Sequence, residues 1–348
     1  MDILEPMFYL HETQEADLPR KVYLEPTTLC NLRCRICFRH GWIDEKTGHM
    51  TEACFDAARG QILAAPGVEE VFFGGMGEPL FHPQIVPMLA ALAPLKRSLV
   101  TNGTMLTGAL SRLLVEAGLD ELWISMDGFE PAAYERIQLG SRFARILENL
   151  ENFNRARVGT KTRLGVTFVI TPENLDQVDR IDAFCDRHGV DMLNLSHMIP
   201  GAPIEKEALL ALYGRAIPVG RMHRLREPAA PTAPHTCPFI SRHAVFIRWD
   251  GDVAPCMQLL HGCHTYLYEQ ERTIRRFSYG NILQTPLYDC WRRPDYTAFR
   301  HRVRTFYFPF CTDCWGCEDR ETNLCDCFLG EAPTCGACLW STGKVFCP

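Results

Sequence analysis

Cys30, Cys34 and Cys37 stand on one short stretch with the spacing C-x3-C-x2-C. Thiolates are the usual ligands of iron–sulfur clusters, and a [4Fe–4S] cluster takes four of them. Three on a single loop can hold three irons and leave the fourth open to bind a small molecule directly. An electron carrier has no need of an open iron. Zinc is the competing reading, with His40 and His49 in reach, although structural zinc prefers C-x2-C pairs in a closed set of four.

The elements that must position this loop can be read from the pattern. An apolar run, Val22-Tyr23-Leu24, precedes it, followed by Glu25-Pro26. Strand-like runs are expected at 22–24, 68–73, 98–101, 121–125, 163–170 and 191–196. Helical periodicity is expected at 51–65, 83–93, 106–117, 131–137 with 143–157, 174–188 and 204–226. Six βα units imply an α/β fold with a parallel sheet. Six are fewer than the eight that close a full barrel, so the expected architecture is a curved, partial (βα)6 TIM-like barrel.

Ligands of such sheets lie at the carboxyl ends of the strands. One end carries Gly74-Gly75-Met76-Gly77-Glu78-Pro79, with glycines for close backbone approach and a carboxylate suited to an ammonium. The next two carry Thr101-Asn102-Gly103 and Ser125-Met126-Asp127-Gly128, each of which alone reads as turn chemistry. The last two offer Thr167, Val169, Asn194 and His197, the histidine being read as structural.

Of 348 residues 47% are hydrophobic, enough for a sizeable core. A net charge of −6, from 36 basic and 42 acidic residues, argues against a nucleic-acid or membrane surface. The first residues do not read as a secretion signal. Seventeen cysteines without such a signal point to metal or cluster ligation in a reducing cytoplasm rather than to disulfides. The chain is divided into a lead-in (1–20), a core (21–226), a Pro-rich linker (227–236) and a Cys-dense tail (237–348). The tail is too irregular for a core of its own and is expected to be held by metal centres.

In order and placement these motifs resemble those of the radical SAM enzymes. That resemblance implies S-adenosylmethionine (SAM) bound to the open iron of a cluster on Cys30, Cys34 and Cys37, and reductive cleavage to a 5′-deoxyadenosyl radical. It also implies cofactor contacts from Gly74, Gly75, Gly77 and Glu78 to the methionyl amino group, and from Thr101 and Asn102 nearby. Ser125 is implied at the ribose or carboxylate, Asp127 in the same cofactor-binding Ser-x-Asp-Gly element, and Val169 against adenine.

In the tail, Cys237, Gly251 and Cys256 frame a β-hairpin at 244–254 with a type I′ turn at Asp250-Gly251. This resembles the start of a SPASM domain, which carries auxiliary clusters over the barrel mouth. Cys311, Cys314, Cys317, Cys325, Cys327, Cys335, Cys338 and Cys347 follow, at spacings that depart from the usual SPASM pattern. Two auxiliary [4Fe–4S] clusters need eight thiolates. Cys325, crowding Cys327, is the first choice for a spare, and Cys54, Cys185, Cys263 and Cys290 are read as unligated. The partition between clusters stays open, and zinc is the alternative for the C-x2-C pairs.

The C-terminal run from Cys335 to Cys347, with Glu25-Pro26-Thr27, narrows the resemblance to maturases associated with tungsten-containing aldehyde ferredoxin oxidoreductases. The expected substrate is a partner tungsten- or molybdenum-pterin oxidoreductase or its cofactor, with ferredoxin or flavodoxin as electron donor. The alternative is a peptide-modifying enzyme forming thioether or carbon–carbon links, and a further one is a non-catalytic multi-cluster electron carrier. Sulfatase activation fits less well, because Met257 occupies the position where that branch has an aspartate. Arg272, Arg275, Arg276, Arg292, Arg293, Arg300, Arg302 and Arg304 are expected to form either a docking surface for the partner or an ordinary solvated face.

Overall fold

The computed structural model describes residues 18–43, 45–214, 237–314, 317–328, 331–342 and 345. Most of the lead-in, the linker 227–236, the helix expected beyond residue 214 and Cys347 lie outside the described residues.

The six expected strands form as β1 (Lys21–Leu24), β2 (Glu70–Phe73), β3 (Lys96–Thr101), β4 (Glu121–Ser125), β5 (Arg163–Ile170) and β6 (Met192–His197). They lie in the order β6-β5-β4-β3-β2-β1 with every neighbour parallel. Such strands are apolar on both faces because helices cover one of them. Val22, Leu24, Val71, Phe73, Leu122 and Ile124 are accordingly 0% exposed. The covering layer includes α1 (Glu52–Ala64), α2 (Ile85–Ala90), α3 (Gly108–Glu116), α4 (Pro131–Ile137) and α5 (Phe143–Ala156). Thr51 and Thr107 cap α1 and α3 by accepting from Cys54 N and Leu110 N.

The stretch 174–188 departs from one continuous helix. Buried Asn174 accepts from Thr171 N and donates to the carbonyls of Asp127 and Val169. The chain therefore leaves β5 in a tight turn and runs as a 3-10 segment, Leu175–Arg180, before α6 (Ile181–Arg187). After β6 comes α7 (Lys206–Gly214).

The hairpin forms as β7 (Ala244–Ile247) and β8 (Val253–Ala254), antiparallel. Its turn is not type I′. Gly251 N donates to Arg248 O at 2.9 Å and Arg248 N to Asp252 O at 2.9 Å, with Gly251 at φ +91° and Asp250 not at positive φ. That is a three-residue loop with a glycine bulge. The Arg248 guanidinium, bonded to Asp250 Oδ1 at 2.7 Å, holds it in shape. Nor does the hairpin stand apart from the barrel: β7 pairs in parallel with β1, from Lys21↔Ala244 to Leu24↔Ile247. Tyr23 stacks on Phe246 with ring centroids 4.3 Å apart.

Three of the eight tail arginines are not surface residues. Arg272, Arg300 and Arg302 are 4%, 1% and 8% exposed. Arg300, in α8 (Pro294–Arg304), lies 3.9 Å from the Trp291 ring centroid, and Arg302 pairs with Asp326 at 3.0 Å. Arg275, Arg276, Arg292, Arg293 and Arg304 are exposed. No helix among the described residues is long and apolar enough to cross a membrane.

Candidate active site

The carboxyl ends of the strands open into a cavity of about 320 Å³. Cys30, Cys34 and Cys37 line it, as does every expected cofactor contact except Gly74. Gly74 continues the β1–β2 ladder through Leu24 O, and a side chain there would meet the Phe72 ring at 2.8 Å. It is a packing glycine.

The Cys loop is tied to the C-terminal end of α4 and to the end of β3. Arg33 N and Arg35 N donate to the carbonyls of Leu139 and Ile137. Asn102 Nδ2 donates to Asn31 Oδ1 at 2.9 Å, and Asn31 Nδ2 to Thr104 Oγ1 at 2.8 Å. His40 Nε2 lies 2.8 Å from Cys34 O, so its ring serves the loop's own backbone. Burial raises the pKa of Cys34 and Cys37, and the nearby Asp127 and the other thiols raise Cys34 further. Thiols that oppose one another's ionisation suit a cationic centre that removes the conflict.

The glycine turn lies flat on the start of this loop. Gly75 has φ +129°, and a Cβ there would stand 2.5 Å from Glu25 Cγ; at Gly77 it would stand 2.2 Å from Thr27 O. Glu25 Oε1 accepts from Met76 N at 2.9 Å and from His261 Nε2 at 2.9 Å. His261 Nδ1 meets Glu45 Oε2 at 3.1 Å, Arg248 bonds Glu45 at 3.0 Å, and Trp42 stacks on the imidazole at 4.7 Å. Burial opposes the His261 charge, but the two carboxylates outweigh it and raise its pKa. Nothing in the sequence marked this network, since none of its members stands in a motif beyond Glu25-Pro26.

Glu78 is 2% exposed. It accepts from Thr101 Oγ1 at 2.7 Å, Leu80 N at 2.9 Å and Asn102 N at 2.6 Å. A carboxylate has about four acceptor positions, so one is left. Burial pushes its pKa up to about 7 in spite of these bonds. Asp127 accepts from Val169 N at 2.9 Å and Gln138 Nε2 at 3.2 Å, and burial pushes it up to about 6. Ser125, Thr167 and Val169 are half-buried and line the cavity. His197 lines it too, edge-on to Tyr213 at 5.5 Å, its pKa lowered by burial. Phe239, Met257, Trp340 and Val345, all from the tail, complete the wall.

The tail thiols fall into two groups. Cys237, Cys256, Cys335 and Cys338 act on one another: burial and mutual repulsion hold Cys256 and Cys335 well above the ordinary thiol range and push Cys237 up to about 12. Cys311 stands near Cys317 and Cys327, raised to about 11 chiefly by burial, with Arg272 opposing. Cys314 is exposed in the same C-x2-C pair. Cys325 turns away to Asp319 Oδ1 at 3.4 Å. Cys54, Cys185, Cys263 and Cys290 are buried. Among the described residues no three His, Cys, Asp or Glu side chains gather as a single ion would need. A four-iron cluster spreads its thiolates over separate irons, and the grouped, mutually destabilised thiols fit one.

Residues 24–185 match the family model of the radical SAM superfamily, and residues 237–317 that of SPASM, an iron-sulfur cluster-binding domain. The chain is 32% identical over 351 residues to the tungsten-containing aldehyde ferredoxin oxidoreductase cofactor-modifying protein of Pyrococcus furiosus, covering 94% of this chain and 96% of that one. Among solved structures, Streptococcus suis SuiB bound to S-adenosylmethionine superposes with a TM-score of 0.60 at 17% identity, covering 82% of this chain and 68% of that one. For anSMEcpe with bound AdoMet the TM-score is 0.58 at 17% identity, covering 81% and 83%. At these identities the likeness speaks for the fold.

Proposed function

The chain belongs to the radical SAM superfamily, in the SPASM-bearing family of the Pyrococcus furiosus cofactor-modifying protein; on that premise we propose that this radical SAM maturase cleaves SAM reductively and uses the 5′-deoxyadenosyl radical to modify a tungsten- or molybdenum-pterin oxidoreductase or its cofactor. The observation that carries this reading is the single cavity shared by the three loop thiols, the polar strand ends and the aromatic residues of the tail.

A [4Fe–4S] cluster on Cys30, Cys34 and Cys37 supplies the electron and an open iron when bound. The chain's own residues bind and orient. Glu78 has one acceptor position left for the methionyl ammonium. Asn102 and Asn31 fix the Cys loop against the third strand end, and Ser125 and Asp127 face the cavity where a ribose or carboxylate would sit. Val169 offers an apolar surface to adenine. Phe239, Met257 and Trp340 shield the reacting centre from water.

The tail is read as two auxiliary [4Fe–4S] clusters. One takes Cys237, Cys256, Cys335 and Cys338, the other Cys311, Cys314, Cys317 and Cys327. Cys325 and Cys347 are then not needed. Ferredoxin or flavodoxin in the cytoplasm is the electron donor.

The test is incubation of the reconstituted protein with SAM, a reductant and a cofactor-loaded pterin oxidoreductase, followed by mass spectrometry of 5′-deoxyadenosine, protein and released pterin. A mass change in either partner component matched to 5′-deoxyadenosine supports the proposal. Turnover that leaves both unaltered removes it and moves the substrate to a precursor peptide.

A further inference from the structure

Arg272 lies in the strand Gln270–Ile274, yet it is 4% exposed. Its Nε donates to Arg320 O at 2.6 Å and its Nη2 to Thr322 O at 3.4 Å, both on the loop between Cys317 and Cys325. Its Nη1 donates to Ala337 O at 3.2 Å, between Cys335 and Cys338. One guanidinium thus staples the two Cys loops that hold separate thiol groups. Among the described residues no aspartate or glutamate pairs with it. Burial lowers its pKa to about 10, and the groups that oppose this are Cys338, Cys311 and Cys335, which belong to both sets. A buried cation without a counter-charge is costly even when carbonyls accept from it, and negative charge on both thiol sets would offset that cost. Arg320, 2% exposed, has Nε and Nη1 without hydrogen-bond partners, and its charge opposes that of Arg272.

We propose that Arg272 is the shared counter-charge of the two auxiliary clusters and raises the reduction potential of both. The inference rests on the two-cluster reading of the tail. Reduction adds one electron from the external donor to a site already negative and breaks no bond. A fixed cation beside both sites favours the reduced state of each, since net charge and hydrogen bonding set cluster potentials.

The experiment uses the full chain carrying Cys30→Ala, Cys34→Ala and Cys37→Ala, so that every cluster signal comes from the tail. Redox titration followed by electron paramagnetic resonance is run on this parent, with Arg272→Gln and with Arg272→Lys. Loss of the charge in Arg272→Gln is expected to lower the reduced-to-oxidised ratio of each cluster at least tenfold at fixed ambient potential, a fall of about 59 mV or more for a one-electron couple. Arg272→Lys, which keeps the charge, is expected to match the parent. Unchanged potentials in Arg272→Gln, or a change at one cluster alone, overturn the proposal. Should Arg272→Gln fail to load, Arg272→Lys decides: parent potentials at both clusters support the shared charge, and a shift at either overturns it. A parent holding well under about eight irons overturns the two-cluster reading itself, and this inference with it.

Discussion

Glu25 Oε1 lies 2.9 Å from His261 Nε2, and each side chain is 1% exposed. The pair joins the end of β1 to the loop that follows the hairpin. Because Glu25 also accepts from Met76 N, it fixes the glycine turn at the cavity as well.

Breaking a buried pair strands the other charge, at a cost of about 3–5 kcal/mol. His261→Ala is therefore expected to destabilise the protein by that order and to weaken SAM binding through the loosened turn. His261 is raised above its unfolded value, so its contribution is complete below about pH 6.5 and is lost as pH rises through the folded value. Urea unfolding at pH 6 and pH 9 should show the gap between wild type and variant narrowing; a gap constant with pH would refute the charged assignment.

Replacing Cys30, Cys34 and Cys37 together by Ala should abolish 5′-deoxyadenosine formation while about eight of twelve irons remain. Product formed at the native rate by this variant would show that the radical chemistry resides elsewhere.

Glu78 gives a pH signature of its own. Its folded pKa of about 7 exceeds the unfolded value of about 4.3, so the native state holds an extra proton between them. Stability of the iron-free protein should fall by roughly 3 kcal/mol from this group as pH climbs through that window, and then level off. Glu78→Gln should remove that part of the slope. Denaturant titrations at pH 4.5 and pH 7.5 measure it, and an unaltered slope in the variant rules the account out.

The partition of tail thiols is checked by paired substitutions. Cys237→Ala with Cys256→Ala should cost about four irons, and Cys311→Ala with Cys314→Ala a different four. Iron and zinc analysis after anaerobic reconstitution reads both, and one or two zincs in place of the missing iron would favour a zinc tail.

With Arg272, Arg300 and Arg302 buried, the basic docking surface shrinks to the exposed arginines. Arg275→Glu with Arg276→Glu should slow partner modification while SAM cleavage without partner is unchanged, and partner binding should weaken as salt rises. Salt-independent association would leave these arginines as an ordinary solvated face.

What was legible in the sequence was local. Apolar runs marked β1 to β6 to within two residues at each end, because strands covered on both faces leave little room for polar residues. The Cys loop and strand-end turns were legible because their residue types are tied to chemistry. The contacts that connect them were not. Glu25 and His261 are 236 residues apart, and no periodicity reports a pairing at that range. An arginine reads the same in sequence whether it faces water or, like Arg272, three backbone carbonyls inside the tail.

The parallel pairing of β7 with β1 has a consequence for how the chain is made. Among the described residues β1 is the first strand to leave the ribosome, but one of its edges stays open until residues 244–247 emerge. Nearly the whole barrel must be synthesised around a strand whose Val22, Tyr23 and Leu24 await a partner. Such long-range closure slows folding and leaves an unpaired apolar edge available to other chains. A fragment ending at residue 226 would keep that edge permanently, so the barrel is expected to aggregate when expressed without its tail.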